Sequence, residues 1–147
     1  MPNRFWNGES RLKYAVLVDV DGTLAGVYKQ GKRPLRPNSI EALRLLANHM
    51  PVFLWSVAGD DNGLRLIREY PEIKSFISGV FDKLDFPLNK IKTVHAIDDE
   101  VLDYSVQRCQ FLAIVNTYSG GKDSGMLSAA AMEVVRHYTD NKKLPKG

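Results

Sequence analysis

Residues 15–24 read AVLVDVDGTL, an apolar run that ends in two aspartates, a glycine and a threonine. The aliphatic and β-branched residues predict a buried strand, and the Asp-Gly step predicts the turn that ends it. Side chains two positions apart on a strand point the same way, so Asp19 and Asp21 would present paired carboxylates where the strand opens into a loop. Carboxylates paired in this way suit metal-assisted phosphoryl chemistry.

The composition indicates one globular domain over residues 1–147, with 44% hydrophobic and 25% charged residues. We expect residues 1–13 to form a polar extension and residues 141–147 a flexible tail. No stretch resembles a secretory leader or a membrane span, so we expect a cytoplasmic protein that does not associate with membranes. The net charge of +3 favours acidic ligands such as phosphate esters or nucleic acid without selecting between them.

Short apolar runs alternate with helical patterns along the chain. This order predicts an α/β fold with a five-stranded parallel sheet covered on both faces, a three-layer sandwich. Asn38 and Glu41 have the spacing of a capping box before the first helix. The predicted strands are 14–18, 52–55, 80–83, 93–97 and 111–115, and the predicted helices lie within 40–46, 64–67, 101–108 and 128–138.

Polar residues follow the predicted strands, as expected for a site at the carboxyl edge of a parallel sheet. Asp19 and Asp21 follow the first strand, Ser56 the second and Lys90 the third, and Asp98 and Asp99 end the fourth. By contrast, His95 falls inside the fourth strand, where we expect a packed, hydrogen-bonded histidine without a catalytic role.

In this order and at these places, the residues resemble the four signatures of the haloacid dehalogenase superfamily, whose members are mostly Mg²⁺-dependent phosphatases. The resemblance covers about residues 14–115. It implies that Asp19 is the nucleophile that takes up the phosphoryl group and that Asp21 is the general acid and base. It also implies that the hydroxyl of Ser56 binds a phosphoryl oxygen. The hydroxyl of Thr23 can support the loop, and we expect Thr23 to contact the substrate as well.

The third signature is a lysine that neutralises charge at the nucleophile. Lys83, Lys90 and Lys92 compete for this role, and we favour Lys90 because compact family members place the lysine eight residues before their acidic pair. Lys83 is the alternative. That acidic pair is Asp98 and Asp99, which the resemblance makes ligands of Mg²⁺.

The resemblance also assigns two further parts to this metal site. They are the carboxylate of Asp19 and the backbone carbonyl of Asp21.

The spacing of these signatures leaves no room for the cap domain that many family members insert. The chain therefore resembles the capless branch, whose open sites commonly serve macromolecular or polyanionic phosphate esters or are covered by a second subunit, so a homo-oligomer is consistent with it. The segment between Asp21 and Asn38 suffices only for a flap. Its basic residues could bind an acidic substrate such as a nucleic-acid end; they are Lys29, Lys32, Arg33 and Arg36.

A competing motif lies in residues 118–124, which read YSGGKDS. The letters resemble the SGGxDS signature of PP-loop ATP pyrophosphatases, which adenylate their substrates, but that signature normally ends the first strand of a larger domain. Backbone amides around Gly120 and Gly121, together with Lys122, could instead hold a substrate phosphate. The sequence thus leaves three functions open: a phosphatase, an adenylating enzyme, and a noncatalytic phosphate-binding module.

Overall fold

Strands and helices alternate along the chain in the computed structural model, which describes residues 5–26, 32–100, 104–123 and 125–143. The elements are β1 (Leu12–Asp19), α1 (Ser39–Ala47), β2 (Val52–Ser56), α2 (Asp60–Glu69), β3 (Gly79–Asp82), β4 (Ile91–Asp98), α3 (Tyr104–Gln107), β5 (Phe111–Ile114) and α4 (Met126–Lys143). Short 3₁₀ turns cover Pro71–Phe76 and Leu88–Lys90. The five predicted strands are confirmed, while the part of the predicted third helix at 101–103 lies outside the described residues.

All five strands are parallel and lie in the order β3-β2-β1-β4-β5. Strand β1 is the central strand and is apolar on both faces, as a strand between two covering layers must be. The register pairs Asp19 with Trp55 and Ser56 with Asp82, which brings the ends of β1, β2 and β3 to one edge. Asp98 ends β4 at the same edge.

Three helices cover one face of the sheet. Alternate residues of β1, such as Val16 and Val18, pack there against buried side chains of α1, α2 and α4. Each helix contributes a stripe of aliphatic residues with a spacing of three or four, for example Ala42, Leu43 and Leu46 in α1. This is the larger of the two cores.

Aromatic residues and the short helix α3 cover the opposite face. Phe53, Phe81 and Phe86 pack around Trp6, whose ring centroid lies 5.2 Å from that of Phe53. The backbone N–H of Trp6 also donates to the carbonyl of Ser78 at 2.7 Å. Within the predicted polar extension over residues 1–13, Trp6 packs against this second core, and β1 already begins at Leu12.

One helix-end prediction needs correction. Asn38 adopts a left-handed conformation with φ of 69° and makes no side-chain cap to α1, so there is no capping box. Helix α4 continues to Lys143, which is the third residue of the segment expected to be a flexible tail, and residues 144–147 lie outside the described part of the chain. No helix among the described residues combines the length and apolar character needed to cross a membrane.

Candidate active site

Three carboxylates and one ammonium meet at the carboxyl edge of the sheet. Asp19, Asp98 and Asp99 each offer a carboxylate oxygen, and these oxygens all lie within 4.8 Å of one another. Lys83 Nζ lies 3.1 Å from Asp19 Oδ1 and 2.7 Å from Asp98 Oδ2. Asp19, Asp98 and Lys83 are all buried, so bulk water screens their charges little.

The electrostatics of the group follow from this burial. Burial raises the pKa of the Asp19 carboxyl well above its usual range, and the neighbouring Asp98 raises it further, while Lys83 acts in the opposite direction. Burial likewise raises the pKa of Asp98 to about 6, against the opposing hydrogen bond from Lys83. One lysine does not balance the carboxylates, so the group has the charge and the oxygen donors to hold a hard divalent cation.

The turn after β1 brings Asp99 close to Asp19. Gly22 has φ of +83°, and a Cβ built on it would lie 2.3 Å from Asp99 Oδ2, so glycine is required both for the turn and for the approach of the carboxylate. Thr23 Oγ1 lies 3.2 Å from Asp19 Oδ2 and 3.4 Å from Asp99 Oδ1. Thr117 Oγ1, in the loop after β5, donates to Asp99 Oδ2 at 2.8 Å.

The structure does not place Lys90 in this site. Lys90 directly precedes β4, whereas Asp98 ends it. At roughly 3.3 Å per residue the two positions are about 26 Å apart, at opposite edges of the sheet. Lys83, the alternative, lies directly after β3 and occupies the position between the carboxylates, because β3 ends beside β2 at the edge where β1 and β4 also end.

A second polar network lies beside the first. Ser56 Oγ accepts hydrogen bonds from Asn62 Nδ2 at 3.0 Å and from the Ala58 N–H at 3.1 Å. Asn62 Nδ2 also donates to Asp21 Oδ2 at 2.8 Å. The carboxylate of Asp21 is thus turned toward Asn62 and Arg33, and its side chain is not part of the acidic group at Asp19.

Arg33 and Arg36 are buried ion-pairing residues, which does not fit the expectation that they could bind an acidic substrate. Arg33 Nη1 lies 3.1 Å from Asp21 Oδ1 and its Nε lies 3.1 Å from Glu69 Oε1. Arg36 pairs with Asp123 at 3.0 Å and donates to the Thr23 carbonyl at 3.3 Å. Each arginine is only 1% exposed. Their ion pairs therefore hold the flap against the rest of the fold.

The other basic residues of the flap differ from the arginines. Lys32 is exposed, with Nζ 4.2 Å from the centroid of the Tyr70 ring. Lys29 lies outside the described residues. Thus Lys32 remains available to a ligand at the flap.

The glycine-rich loop lies against the loop that follows β1. The Tyr118 N–H donates to the Gly22 carbonyl at 2.7 Å, and Arg36 joins the two loops through Asp123. Gly120 and Gly121 have positive φ angles of 119° and 84°, and Lys122 is exposed. The predicted position at the active-site edge is confirmed by the parallel pairing of β5 with β4, whereas Ser124 lies outside the described residues.

Sequence reasoning missed Asn62 and Thr117. Asn62 lies in the first turn of α2, six residues after Ser56, and Thr117 lies three residues after β5. Their positions just beyond strands were a usable signal, since ligands bind at the carboxyl edge of such sheets. His95 is buried and paired with His137, as expected.

Comparisons with known proteins add little to the geometry. No family model and no curated protein matches the chain. Among solved structures, the chain is similar to a hypothetical protein from Xanthomonas campestris, with a TM-score of 0.43 and 13% sequence identity over 90% of this chain and 87% of that one. A likeness at this level carries no conclusion about the site.

Proposed function

We propose that this chain is a capless Mg²⁺-dependent phosphatase of the haloacid dehalogenase superfamily, which hydrolyses a phosphate monoester through an aspartyl-phosphate on Asp19. The observation that carries the proposal is the position of Lys83 Nζ between Asp19 and Asp98, with Asp99 completing a group of three carboxylates. A nucleophilic carboxylate needs cations around it before it can approach a phosphate dianion.

The donor set fits Mg²⁺. Its ligands would be the carboxylates of Asp19, Asp98 and Asp99, with the Asp21 carbonyl as a further oxygen ligand, in keeping with the preference of this ion for oxygen. When bound, Mg²⁺ would supply the positive charge that offsets repulsion between carboxylate and phosphate.

The chain's own residues then carry two displacements at phosphorus. In the first, Asp19 Oδ forms a bond to phosphorus while the bond to the ester oxygen breaks, and that oxygen takes a proton from the carboxylic acid of Asp21. In the second, a water oxygen attacks phosphorus, its proton passes to Asp21, and the bond between phosphorus and Asp19 breaks. Both carboxyl groups return to their starting states, and the products are an alcohol and inorganic phosphate.

The surroundings of the site bear on the substrate. Arg33 and Arg36 are engaged in internal ion pairs, so they do not supply charge to a polyanion. Exposed Lys32 and Lys122 could still contact an acidic substrate such as a nucleic-acid end. In this proposal a second subunit could cover the uncapped site.

The test is release of phosphate from 4-nitrophenyl phosphate with and without Mg²⁺. We expect Mg²⁺-dependent turnover that is abolished in Asp19→Asn and retained in Asp140→Asn, the same change at an exposed aspartate of α4. Cleavage of ATP to AMP and pyrophosphate would favour an adenylating enzyme instead. Phosphate binding without turnover in any divalent metal would indicate a noncatalytic module.

A further inference from the structure

We propose that Asn62, held by Arg33, is a positioning residue that fixes both the acid–base carboxylate of Asp21 and the hydroxyl of Ser56. This inference rests on the proposed phosphatase function. Asn62 reaches both groups at once because it lies in the first turn of α2, and its side chain is buried.

The orientation of the Asn62 amide follows from its partners. Arg33 Nη1 lies 2.6 Å from Asn62 Oδ1, and a guanidinium has only donors, so the oxygen of the amide must face it. The NH₂ group therefore faces Asp21 Oδ2 and Ser56 Oγ, and each of its two hydrogens has an acceptor. If the amide were flipped, its NH₂ group would face the N–H donors of Arg33 and its oxygen would face the Asp21 carboxylate, and both contacts would be repulsive.

This arrangement determines what the Ser56 hydroxyl can do. A hydroxyl oxygen has two lone pairs, and those of Ser56 receive N–H groups from Asn62 and Ala58. Its own hydrogen is then directed away from both, which leaves Ser56 as a donor. A donor at the end of β2 is what an anionic phosphoryl oxygen requires.

The same arrangement holds Asp21 from two sides. Asn62 donates to Oδ2 at 2.8 Å and Arg33 donates to Oδ1 at 3.1 Å, while 52% of the Asp21 side chain stays exposed. The carboxyl group is thus fixed in orientation and is still half exposed, so an ester oxygen or a water can reach it. Fixing a reacting group in this way removes the entropy cost of aligning it during reaction.

Arg33 and Asn62 are themselves anchored. Arg33 Nε bonds to Glu69, and the Tyr70 hydroxyl donates to the Arg33 carbonyl. Beside Asn62, a Cβ built on Gly63 would lie 2.5 Å from Val80 Cγ1, so the start of α2 packs closely on β3. These contacts connect the flap, α2 and the sheet. They therefore hold Arg33 and Asn62, and through them the Asp21 carboxylate, in fixed positions.

The test compares Asn62→Asp and Asn62→Ala with Asn89→Asp, the same change at an exposed asparagine at the opposite edge of the sheet. Asn62→Asp keeps the shape and can still accept from Arg33, but as a carboxylate it donates to neither Asp21 nor Ser56. We expect kcat to fall roughly 10- to 100-fold in both Asn62 variants, since misplacement of a catalytic group has costs of this order. The Mg²⁺ affinity of Asn62→Ala, measured by calorimetry, should stay close to that of the wild-type chain, because the substitution adds no charge and the three carboxylates of the acidic group are retained.

Comparing two substrates with different leaving groups distinguishes positioning of Asp21 from a general loss of structure. An alkyl phosphate needs a proton on its departing oxygen, whereas 4-nitrophenolate departs without one. The loss of kcat should therefore be larger for an alkyl phosphate than for 4-nitrophenyl phosphate. An equal loss for both substrates, or full activity in Asn62→Asp, would overturn the assignment.

Binding of inorganic phosphate separates this inference from the proposed function. If the wild-type chain turns over neither ester, the phosphatase proposal fails, and phosphate affinity in the presence of Mg²⁺ then decides the role of Asn62. Weaker phosphate binding in Asn62→Ala than in the wild-type chain supports an oriented Ser56 donor, because this variant loses the amide without adding a charge. Equal binding in the two proteins contradicts it.

Discussion

His95 should make the folded chain sensitive to mild acid. Its ring is fully buried on β4, with Nδ1 3.3 Å from the Ala15 carbonyl and Nε2 2.9 Å from His137 Nδ1. A carbonyl only accepts, so Nδ1 of His95 carries the proton, Nε2 accepts, and His137 donates. A second proton on His95 would place a positive charge in the core and would require the His137 ring to change tautomer before its Nδ1 could accept from His95.

The size of the stability loss follows from the pKa of His95. Burial lowers the pKa of His95 from 6.5 to about 4, so the unfolded chain takes up a proton there at a higher pH than the folded chain does. The stability that this group contributes is complete above pH 6.5 and is lost as the pH falls toward 4. Linkage gives a loss of about 2 kcal/mol at pH 5 and about 3 kcal/mol at pH 4.

The assay is urea unfolding of the wild-type chain and His95→Gln between pH 7.5 and 4, with EDTA present. Glutamine retains one donor and one acceptor but does not titrate. The comparison between the two proteins is essential because Asp98 acts in the opposite direction. Its pKa is raised to about 6, so the contribution of that group to stability rises as the pH falls.

Between pH 7.5 and 4, the wild-type chain should lose about 3 kcal/mol more than His95→Gln. The Asp98 contribution cancels in this difference because both proteins contain it. A difference in unfolding free energy that stays constant across the pH range would refute the reasoning.

Three substitutions test the remaining structural claims. Lys83→Met should lower kcat/KM roughly 100- to 1,000-fold in steady-state kinetics, because it removes the ammonium between two carboxylates. Lys90→Met should leave kcat/KM unchanged, and equal effects of the two substitutions would contradict the placement of Lys83. Gly22→Ala should weaken Mg²⁺ binding in calorimetry, because its Cβ would meet Asp99 Oδ2; wild-type affinity would count against the close approach. Arg36→Met should lower the free energy of unfolding by about 3 kcal/mol or more in urea titrations, because it breaks a buried ion pair, and a loss below about 1 kcal/mol would argue against that role.

The fold and four site positions, those of Asp19, Ser56, Asp98 and Asp99, could be predicted from local sequence. Apolar runs broken by glycine, proline and aspartate mark buried strands, and parallel strands bring the residues after them to one edge. Asp19, Ser56 and Asp98 lie at that edge as expected because each ends a strand within one residue of its predicted bound. The expected pairing of the Asp19 and Asp21 carboxylates is not seen, since the side chain of Asp21 turns toward Arg33 and Asn62.

The rest depended on contacts that sequence spacing does not encode. The choice between Lys83 and Lys90 required knowing that β3 ends at the site edge and that Lys90 precedes β4 instead of following β3 closely. Arg36 reads as a solvated flap residue, yet its partner Asp123 lies 87 positions away along the chain. Burial of a charged side chain is decided by such distant partners, so a cluster of basic letters alone does not indicate a binding surface.

The most direct test of the central claim is a search for a phosphoryl group on Asp19. Asp21→Asn should accumulate this species with 4-nitrophenyl phosphate and Mg²⁺, because the first displacement from a good leaving group needs little acid help while the second needs the base. Acid quenching followed by peptide mass spectrometry is expected to find the phosphoryl group on the peptide that contains Asp19, and not in Asp19→Asn. Turnover of the wild-type enzyme with no phosphoryl group on Asp19 in Asp21→Asn, or with the group on another residue, would contradict the account.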